Sequence, residues 1–155
     1  MDVLRAYTRH LSLIVGPFDE YRRHCGQQPD PEAARVFLAE RLERRDSVIF
    51  FASEGSGSFE RALGFVQIYP GWSSLWMKRV WTLGDLYVEP SSRRRGIARA
   101  LHERVRQHAL ETKANRVVAC TAILDEAVLG LGRALGYRVE QNTCHLVLDP
   151  GDWSG

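Results

Sequence analysis

The sequence predicts an α/β fold in which about four helices flank a mixed central sheet of six to seven strands. Short apolar runs that suit strands alternate with segments whose apolar residues recur every three or four positions, as in amphipathic helices. An apolar strand at residues 83–88 leads through a Pro-Ser-Ser turn into such a helix. The length of 155 residues suits one domain, residues 1–155.

The composition is typical of a globular protein, with 45% hydrophobic and 26% charged residues. The formal net charge of +2 is too small to indicate nucleic acid, so no nucleic-acid partner is expected. The three cysteines lack metal-ligand spacing, which favours reduced thiols and no metal. No signal-peptide pattern or spanning apolar run is present, so we expect a cytoplasmic protein with no membrane partner.

The first third of the chain predicts one strand and two helices. The strand covers Val3 to Tyr7. Apolar residues recur at helical spacing from about residue 10 to residue 25, but Gly16-Pro17 interrupts them, so we expect a kinked helix or two short ones. In the second helix Asp30 can cap the N-terminus and Pro31 suits the first turn.

A hairpin follows. Residues 47–53 are almost continuously apolar, as in a buried strand, and residues 61–69 return after a Gly/Ser-rich turn. Pro70-Gly71 is expected to break this second strand. The loop at residues 70–78 carries Trp72 and Trp76, which are typical either of a ligand or partner surface or of packing under the sheet.

The rest of the chain predicts alternating strands and helices. The strand at residues 79–88 contains Gly84, which indicates a β-bulge or a close backbone approach. Gly136 is expected to end the last helix. The remaining elements are a helix from roughly Gly96 to Thr112, a strand at 116–122, a helix from Asp125 or Glu126, and a closing hairpin of strands 138–140 and 144–148.

The turn before the Gly96 helix has the features of an anion site. The first N–H groups of a helix have no internal partner, and the helix dipole adds about half a positive charge there. Arg93 to Arg95 add guanidinium groups that suit phosphate, and Gly96 leaves the backbone open to a ligand. The sequence therefore predicts a phosphate or pyrophosphate ligand, although the Walker A and dinucleotide patterns are absent.

Residues 93–98, Arg-Arg-Arg-Gly-Ile-Ala, also fit the Arg/Gln-x-x-Gly-x-Gly/Ala signature of the GCN5-related N-acetyltransferases, the GNAT superfamily. Residues 85–90 resemble the central strand of that family, and Leu135-Gly136-Tyr137 resembles an element further along it. The predicted order of elements is similar to the GNAT fold over almost the whole chain.

The resemblance implies acetyl-CoA as cofactor and direct attack by a primary amine of a small molecule or by an exposed protein amine. It places the pantetheine arm along the backbone of Leu86, Tyr87 and Val88. It places the pyrophosphate on the turn, with Arg93 anchoring the motif and the amides supplied by Arg94, Arg95, Gly96, Ile97, Ala98 and Arg99.

The catalytic pair of the diamine acetyltransferase branch, which this region also resembles, does not carry over. Glycine stands at both positions, Gly84 for the acidic residue and Gly132 for the tyrosine that protonates the thiolate. Asp85 is the remaining acid on the strand and the candidate base. Strand alternation turns it to the opposite face unless a bulge changes the parity, and a structural aspartate is the alternative.

Acceptor specificity is expected from the first two helices, the loop at 70–78 and the closing hairpin. Asp19, Glu20 and Tyr21 can meet a cationic amine, and Trp72 or Trp76 can add a cation–π contact. Tyr21 and Trp72 are the candidate substrate-binding residues.

Two other functions stay open. Glycine at both expected catalytic positions is compatible with a non-catalytic acyl-CoA-binding or regulatory module. A nucleic-acid binder that uses the arginines is disfavoured by the low net charge. The oligomeric state is open, and the resemblance favours a homodimer.

Overall fold

The computed structural model describes residues 1–119 and 126–138 of a chain that forms two compact units, residues 1–122 and 123–155. The second unit contains α4 (Glu126–Ala134). The elements of the first unit are β1 (Asp2–Arg5), α1 (Leu11–His24), α2 (Pro31–Arg44), β2 (Val48–Glu54), β3 (Arg61–Ser73), β4 (Lys78–Val88), α3 (Ile97–Glu111) and β5 (Arg116–Ala119).

The strands form one mixed sheet, which confirms the predicted fold class. Their order is β1-β2-β3-β4-β5, with antiparallel pairing through β4 and parallel pairing between β4 and β5. The described residues contain five strands, so the predicted six to seven are not matched. The strands predicted at 138–140 and 144–148 account for the difference, and residues 139–155 lie outside the described residues, as does the end of the strand predicted at 116–122.

The first helix corrects the expectation of an interruption at Gly16-Pro17. Residues 11–24 form one continuous helix with Pro17 inside it. A proline inside a helix removes one backbone hydrogen bond and costs about 3 kcal/mol. The buried face of α1, which includes Ile14, Val15 and Phe18, offsets this cost by packing against the sheet.

The second helix begins as predicted. Pro31 is its first residue, and the Asp30 side chain accepts a hydrogen bond from the Ala33 N–H at 2.9 Å. Asp19 of α1 fixes this start because its Oδ1 accepts hydrogen bonds from the Asp30 N–H at 3.0 Å and from Arg22 Nη1 at 2.8 Å. The two helices are therefore joined by this Asp19–Asp30 hydrogen bond as well as by apolar packing.

The third strand corrects the expectation that Pro70-Gly71 ends it. The strand continues to Ser73, with Pro70 opposite Trp81 and Trp72 opposite Arg79 on β4. Pairing of β3 with β2 ends at Ile68, so the later residues of β3 pair with β4 alone. Proline is tolerated on such an edge because an N–H that faces away from the neighbouring strand has no ladder partner to lose.

Helices cover both faces of the sheet. On one face Ile97, Leu101 and Val105 of α3 recur every fourth residue, as predicted, and pack on alternate residues of β2, β3 and β4. On the other face α1 and α2 pack around Phe51, Phe65 and Tyr87. The C-terminal half of β4 lies between these two layers, and it carries the residues of the candidate site.

The last described helix ends at the predicted glycine. Gly136 adopts a left-handed conformation with φ of 87°. Its N–H donates to the Arg133 carbonyl at 3.0 Å, and the Tyr137 N–H donates to the Gly132 carbonyl at 2.9 Å. This pair of bonds is the Schellman motif that glycine favours after a helix.

No helix of the described residues is long and apolar enough to cross a membrane.

His108 of α3 gives a prediction about the stability of the fold. Its imidazole is 6% exposed, and its ring centroid lies 5.5 Å from that of Phe50 and 4.9 Å from that of Trp81. Burial, helped by Arg5 and Arg104 and opposed by Glu111, lowers the His108 pKa below its usual 6.5. The His108 imidazole is therefore protonated more readily in the unfolded chain than in the folded one. The contribution of neutral, buried His108 to the free energy of unfolding is complete above pH 6.5, and it is lost as the pH falls through the pKa of the folded state.

We expect wild type to lose more unfolding free energy between pH 7.5 and pH 5 than the His108→Gln variant loses. Urea unfolding at both pH values measures these losses. The other titrating groups are the same in both proteins, so their effects cancel when the two losses are compared. A His24→Gln control, at an exposed position, should follow wild type. Equal losses of unfolding free energy in wild type and in His108→Gln between the two pH values would contradict the prediction.

Candidate functional site

A β-bulge interrupts β4 at Gly84, as predicted. Gln67 pairs with Asp85 and Ile68 pairs with Leu83, so Gly84 is an extra residue without a partner on β3. A Cβ atom at Gly84 would lie 2.7 Å from Cε2 of Tyr69, because the Tyr69 ring fills the space above it. A side chain at position 84 would therefore require the Tyr69 ring to move.

The bulge reverses the alternation of side chains along β4. Trp81 and Leu83 pack on the α3 side before the bulge, and Leu86 and Val88 pack on that side after it. Tyr87 packs on the α1 side. Asp85, two residues before Tyr87, therefore faces α1 as well. This answers the question of which face of the sheet Asp85 lies on.

Two tyrosine hydroxyls meet the Asp85 carboxylate on the α1 face. Tyr21 of α1 and Tyr69 of β3 both hydrogen-bond to it, and these bonds lower its pKa. Burial is the larger effect and raises the Asp85 pKa above the usual 3.8. Burial and the nearby Asp85 carboxylate raise the pKa of Tyr69 to about 12 and raise the pKa of Tyr21 strongly, so both phenols stay protonated donors.

A second carboxylate lies beside this group. The Tyr87 hydroxyl donates to Glu20 Oε2 at 3.0 Å, and the rings of Tyr21 and Tyr87 are 6.3 Å apart. Burial and the Glu20 carboxylate raise the pKa of Tyr87 to about 12. Glu20 is exposed, Asp85, Tyr21 and Tyr69 are half-buried, and Tyr87 is buried. We call these two carboxylates and three tyrosines the Asp85 cluster.

Asp19, which the sequence grouped with Glu20 and Tyr21, has a different role. It is buried, and its Oδ1 is occupied by the bonds to the Asp30 N–H and to Arg22. It therefore joins α1 to α2 and does not face the Asp85 cluster as an available carboxylate.

The turn between β4 and α3 presents a run of backbone N–H groups. No carbonyl or side chain of the described residues accepts a hydrogen bond from the six amides of residues 94–99. Arg94 and Gly96 both have left-handed backbones, with φ of 62° and 79°, and turns with such residues form concave runs of N–H groups. A Cβ atom at Gly96 would have nothing within 4 Å, so the concave side is open.

The arginines of this turn have separate surroundings. Arg93 Nε donates to the Val88 carbonyl at 3.2 Å and ties the turn to the end of β4. Arg95 Nη2 lies 2.6 Å from Glu54 Oε1 at the end of β2, and Arg61 binds the other oxygen of Glu54 at 3.0 Å. Arg94 and Arg99 have no such ion pair among the described residues, so they are the cations most available to an anion at the six amides.

The structure brings most of the predicted site residues together along the second half of β4. Leu86, Tyr87 and Val88 connect the Asp85 cluster to the amides of Arg94 to Arg99. Trp72 does not join them, because it lies five residues along β3 from Gln67, the partner of Asp85, a separation of about 17 Å. Gly132 lies in α4, in the second unit.

Sequence reasoning missed Tyr69 and Glu54. Tyr69 was the end of a predicted strand, and only the bulge brings its ring over Gly84 and its hydroxyl to Asp85. Glu54 contacts Arg95 across 41 positions of sequence. No local pattern indicates either contact.

These features agree with comparisons to known proteins. Residues 15–137 match the family model described as the acetyltransferase (GNAT) family. The chain belongs to this family.

Relatives of known name support the same conclusion for this acetyltransferase. It is 32% identical over 149 residues to a Bacillus subtilis (strain 168) protein named uncharacterized N-acetyltransferase YhfO, covering 96% of this chain and 97% of the relative. It is 31% identical to a probable acetyltransferase of Haemophilus influenzae, covering 77% of this chain and 80% of that protein. A crystal structure of a probable acetyltransferase superposes with a TM-score of 0.88 at 37% identity, over 96% of this chain and 97% of the other. These names favour an enzyme over a non-catalytic module, whereas the resemblance to the diamine branch stays a prediction.

The Gly84 bulge predicts a selective cost for a small side chain. In Gly84→Ala the new methyl group must displace the Tyr69 ring, so we expect a loss of about 1–2 kcal/mol of unfolding free energy. Urea denaturation measures it. The matched control is Gly71→Ala on the same strand pair, where the new Cβ would lie 3.7 Å from the Val80 carbonyl oxygen, an ordinary contact.

In a Tyr69→Ala background the Gly84→Ala substitution should cost little, because the clashing ring is gone. Equal costs for Gly84→Ala and Gly71→Ala, or an unchanged cost without the Tyr69 ring, would contradict the assignment of Tyr69 as the neighbour that requires glycine.

Proposed function

We propose that the chain is an acetyl-CoA-dependent N-acetyltransferase that acetylates a primary amine of a small molecule or an exposed protein amine. The observation that carries the proposal is the run of six unpaired amides at Arg94 to Arg99, which follows the strand whose bulge turns Asp85 to the α1 face. A neighbour of the same fold, the aminoglycoside N-acetyltransferase AAC(6')-Iy, was solved in complex with CoA, with a TM-score of 0.76 at 19% identity. That complex supports a CoA compound as the ligand of this fold.

The donor-binding part of the proposal rests on the turn before α3. Its six amides and the helix dipole suit a diphosphate, and Arg94 and Arg99 supply formal positive charge. Arg93 holds the turn against Val88, and the open space at Gly96 admits close approach of the ligand to the backbone. The backbone of Leu86 to Val88 would orient the pantetheine arm so that the thioester lies near the bulge. Acetyl-CoA supplies the activated acetyl group.

The acceptor part rests on the Asp85 cluster. A cationic amine would be attracted by the Asp85 and Glu20 carboxylates, and the Tyr21 ring adds an aromatic face. Attack requires a neutral amine, so one proton must leave the ammonium before the new N–C bond forms. After attack the nitrogen loses a second proton, the C–S bond breaks, and the departing thiolate takes up a proton from the nitrogen or from solvent. Asp85 takes the first proton, directly or through a water, and Tyr21 and Tyr69 hold its carboxylate in place.

The leaving thiolate needs no dedicated acid. A thiol with a pKa near the ordinary ~8.5 is a tolerable leaving group close to neutral pH. Glycine at position 132 is therefore compatible with turnover. Trp72 belongs to the acceptor site only if the acceptor reaches about 17 Å along β3 from the Asp85 cluster.

The donor site predicts that Gly96→Ala weakens CoA binding by at least about tenfold. A left-handed conformation costs a non-glycine residue about 1–2 kcal/mol, and relaxing that strain moves the amides on either side of residue 96. Isothermal titration of CoA measures the change. Gly26→Ala is the control, because Gly26 also has a positive φ, of 87°, and open space at its Cβ, but lies after α1.

Gly26→Ala should bind CoA as wild type does, although it carries similar backbone strain. If both variants bind CoA equally well, the diphosphate does not lie on these amides. If wild type itself shows no affinity for CoA or acetyl-CoA, the proposed donor is wrong.

The acceptor site predicts the pH dependence of acetyl transfer. Asp85 acts as a base when ionised, so log kcat/KM should rise with pH through the Asp85 pKa, which burial places above 3.8. In Asp85→Asn this rise with pH should disappear and kcat should fall about 10²–10⁴-fold, while the affinity for CoA stays unchanged. Tyr21→Phe removes a hydrogen bond to the ionised carboxylate, so the rise should move to higher pH.

Acceptor amines of different pKa distinguish the rise caused by Asp85 from the rise caused by deprotonation of the acceptor. Only the second rise shifts along the pH axis when the amine is changed. An Asp85→Asn enzyme with near wild-type kcat would show that another group, or water alone, removes the proton.

A further inference from the structure

The hairpin that joins β3 to β4 extends beyond the rest of the antiparallel sheet. Pairing with β2 ends at Ile68, and the two strands continue as a pair to Ser73 and Lys78. The turn between them is closed by a hydrogen bond from the Met77 N–H to the Ser74 carbonyl at 3.3 Å. We call residues 72–79 the hairpin tip.

Large apolar side chains are concentrated at the hairpin tip. The exposed fraction is 71% for Trp72, 78% for Leu75, 45% for Trp76 and 86% for Met77. These four side chains lie within six residues and form an exposed apolar patch, whereas exposed apolar side chains on a protein surface are usually scattered singly.

Met77 breaks two local rules at once. Its φ of 49° is in the left-handed region, where glycine or asparagine is favoured, and its side chain is exposed to solvent. Neither turn geometry nor core packing explains a methionine at this position. Positions that break local rules without a structural gain are expected at functional sites.

Among the residues that the structure describes, the charged side chains around the hairpin tip are positive. Lys78 and Arg79 belong to it, and Arg116 lies beside it, with its guanidinium carbon 4.1 Å from the Trp76 ring centroid. Arg79 is 4.6 Å from the Trp72 ring centroid. Residues 61–84 contain no aspartate or glutamate, and Asp46, near the start of β2, is paired with Arg41 at 2.7 Å.

We propose that the hairpin tip docks the protein on an anionic lipid surface. Tryptophan suits the boundary between water and lipid because its indole has an apolar body and a polar N–H. Leu75 and Met77 would enter the acyl region while Lys78 and Arg79 contact anionic headgroups. This surface contact departs from the sequence-based expectation that a membrane is not a partner.

The charges favour this occupant over a second copy of the chain. A symmetric contact between two hairpin tips would bring the positively charged side chains of one copy close to those of the other. Such contacts between like charges are destabilising. A hairpin that extends beyond its neighbour β2 also needs a complementary cleft on a protein partner, whereas a lipid surface deforms around it. The observations therefore favour lipid over an acidic protein surface.

The test uses the full chain and vesicles of phosphatidylcholine with or without phosphatidylglycerol. We expect co-sedimentation only with vesicles that contain phosphatidylglycerol, a blue shift of tryptophan emission on binding, and weaker binding as salt rises. The double variant Leu75→Ser, Met77→Asn should reduce partitioning at least about tenfold because it removes two apolar groups from the contact. Its thermal stability should equal or exceed that of wild type, since asparagine suits the left-handed position.

Phe59→Ser is the matched control. Phe59 is 88% exposed, but it precedes β3, whose 13 residues span about 40 Å from Arg61 to Ser73 at the hairpin tip. It should bind vesicles as wild type does. CoA binding by all these variants should be unchanged, because the substituted residues lie outside the proposed donor site at residues 86–99, so the result is independent of that site.

Three results would overturn the proposal. The first is equal binding to vesicles with and without phosphatidylglycerol, or no binding to either. The second is an equal loss of binding in Phe59→Ser and in the double variant. The third is a concentration-dependent rise in mass without lipid that the double variant abolishes, which would assign the hairpin tip to self-association.

Discussion

One extra residue in β4 decides which side chains meet on each face of the sheet. Without the bulge at Gly84, the alternation that places Trp81 and Leu83 on the α3 side would place Asp85 there too, within an apolar layer. An ionised carboxylate in that layer would lack partners and would carry a large desolvation cost. With the bulge, Asp85 turns to α1, where two phenols donate to it. The register shift is therefore the constraint on which the acidic side of the site depends.

The donor side depends on the anchoring of α3. Burial of Ile97, Leu101 and Val105 against the sheet holds the helix in place, so its first N–H groups have fixed positions before a ligand arrives. The ion pair of Arg95 with Glu54 is short but exposed, and such pairs contribute about 0–1 kcal/mol. The turn is therefore ordered mainly by the apolar packing of the helix that follows it. The ion pair also leaves Arg94 and Arg99 as the cations nearest the amides without a competing carboxylate among the described residues.

Features that depend on neighbouring residues in the sequence were predictable. The Asp30 cap, the periodicity of α3, the glycine that ends α4 and the bulge at a glycine inside a strand all follow from local rules. The failures concern tertiary partners. Pro17 stays inside a helix because the buried face of α1 packs on the sheet. The strand β3 continues past Pro70 because only one neighbouring strand is present there. The contacts of Tyr69 with Gly84 and of Glu54 with Arg95 join distant residues, and no single-sequence pattern contains them.

Glycine at position 84 has a different meaning once these contacts are known. In the sequence it stands where a related branch carries an acid, which argues against catalysis. In the structure a side chain at that position would collide with Tyr69, and the same glycine creates the bulge that turns the next residue, an aspartate, to the α1 face. The acid is thus displaced by one position along the strand and is not missing from the site. A carboxylate must therefore be sought by the face on which it lies, and the pairing register decides that face.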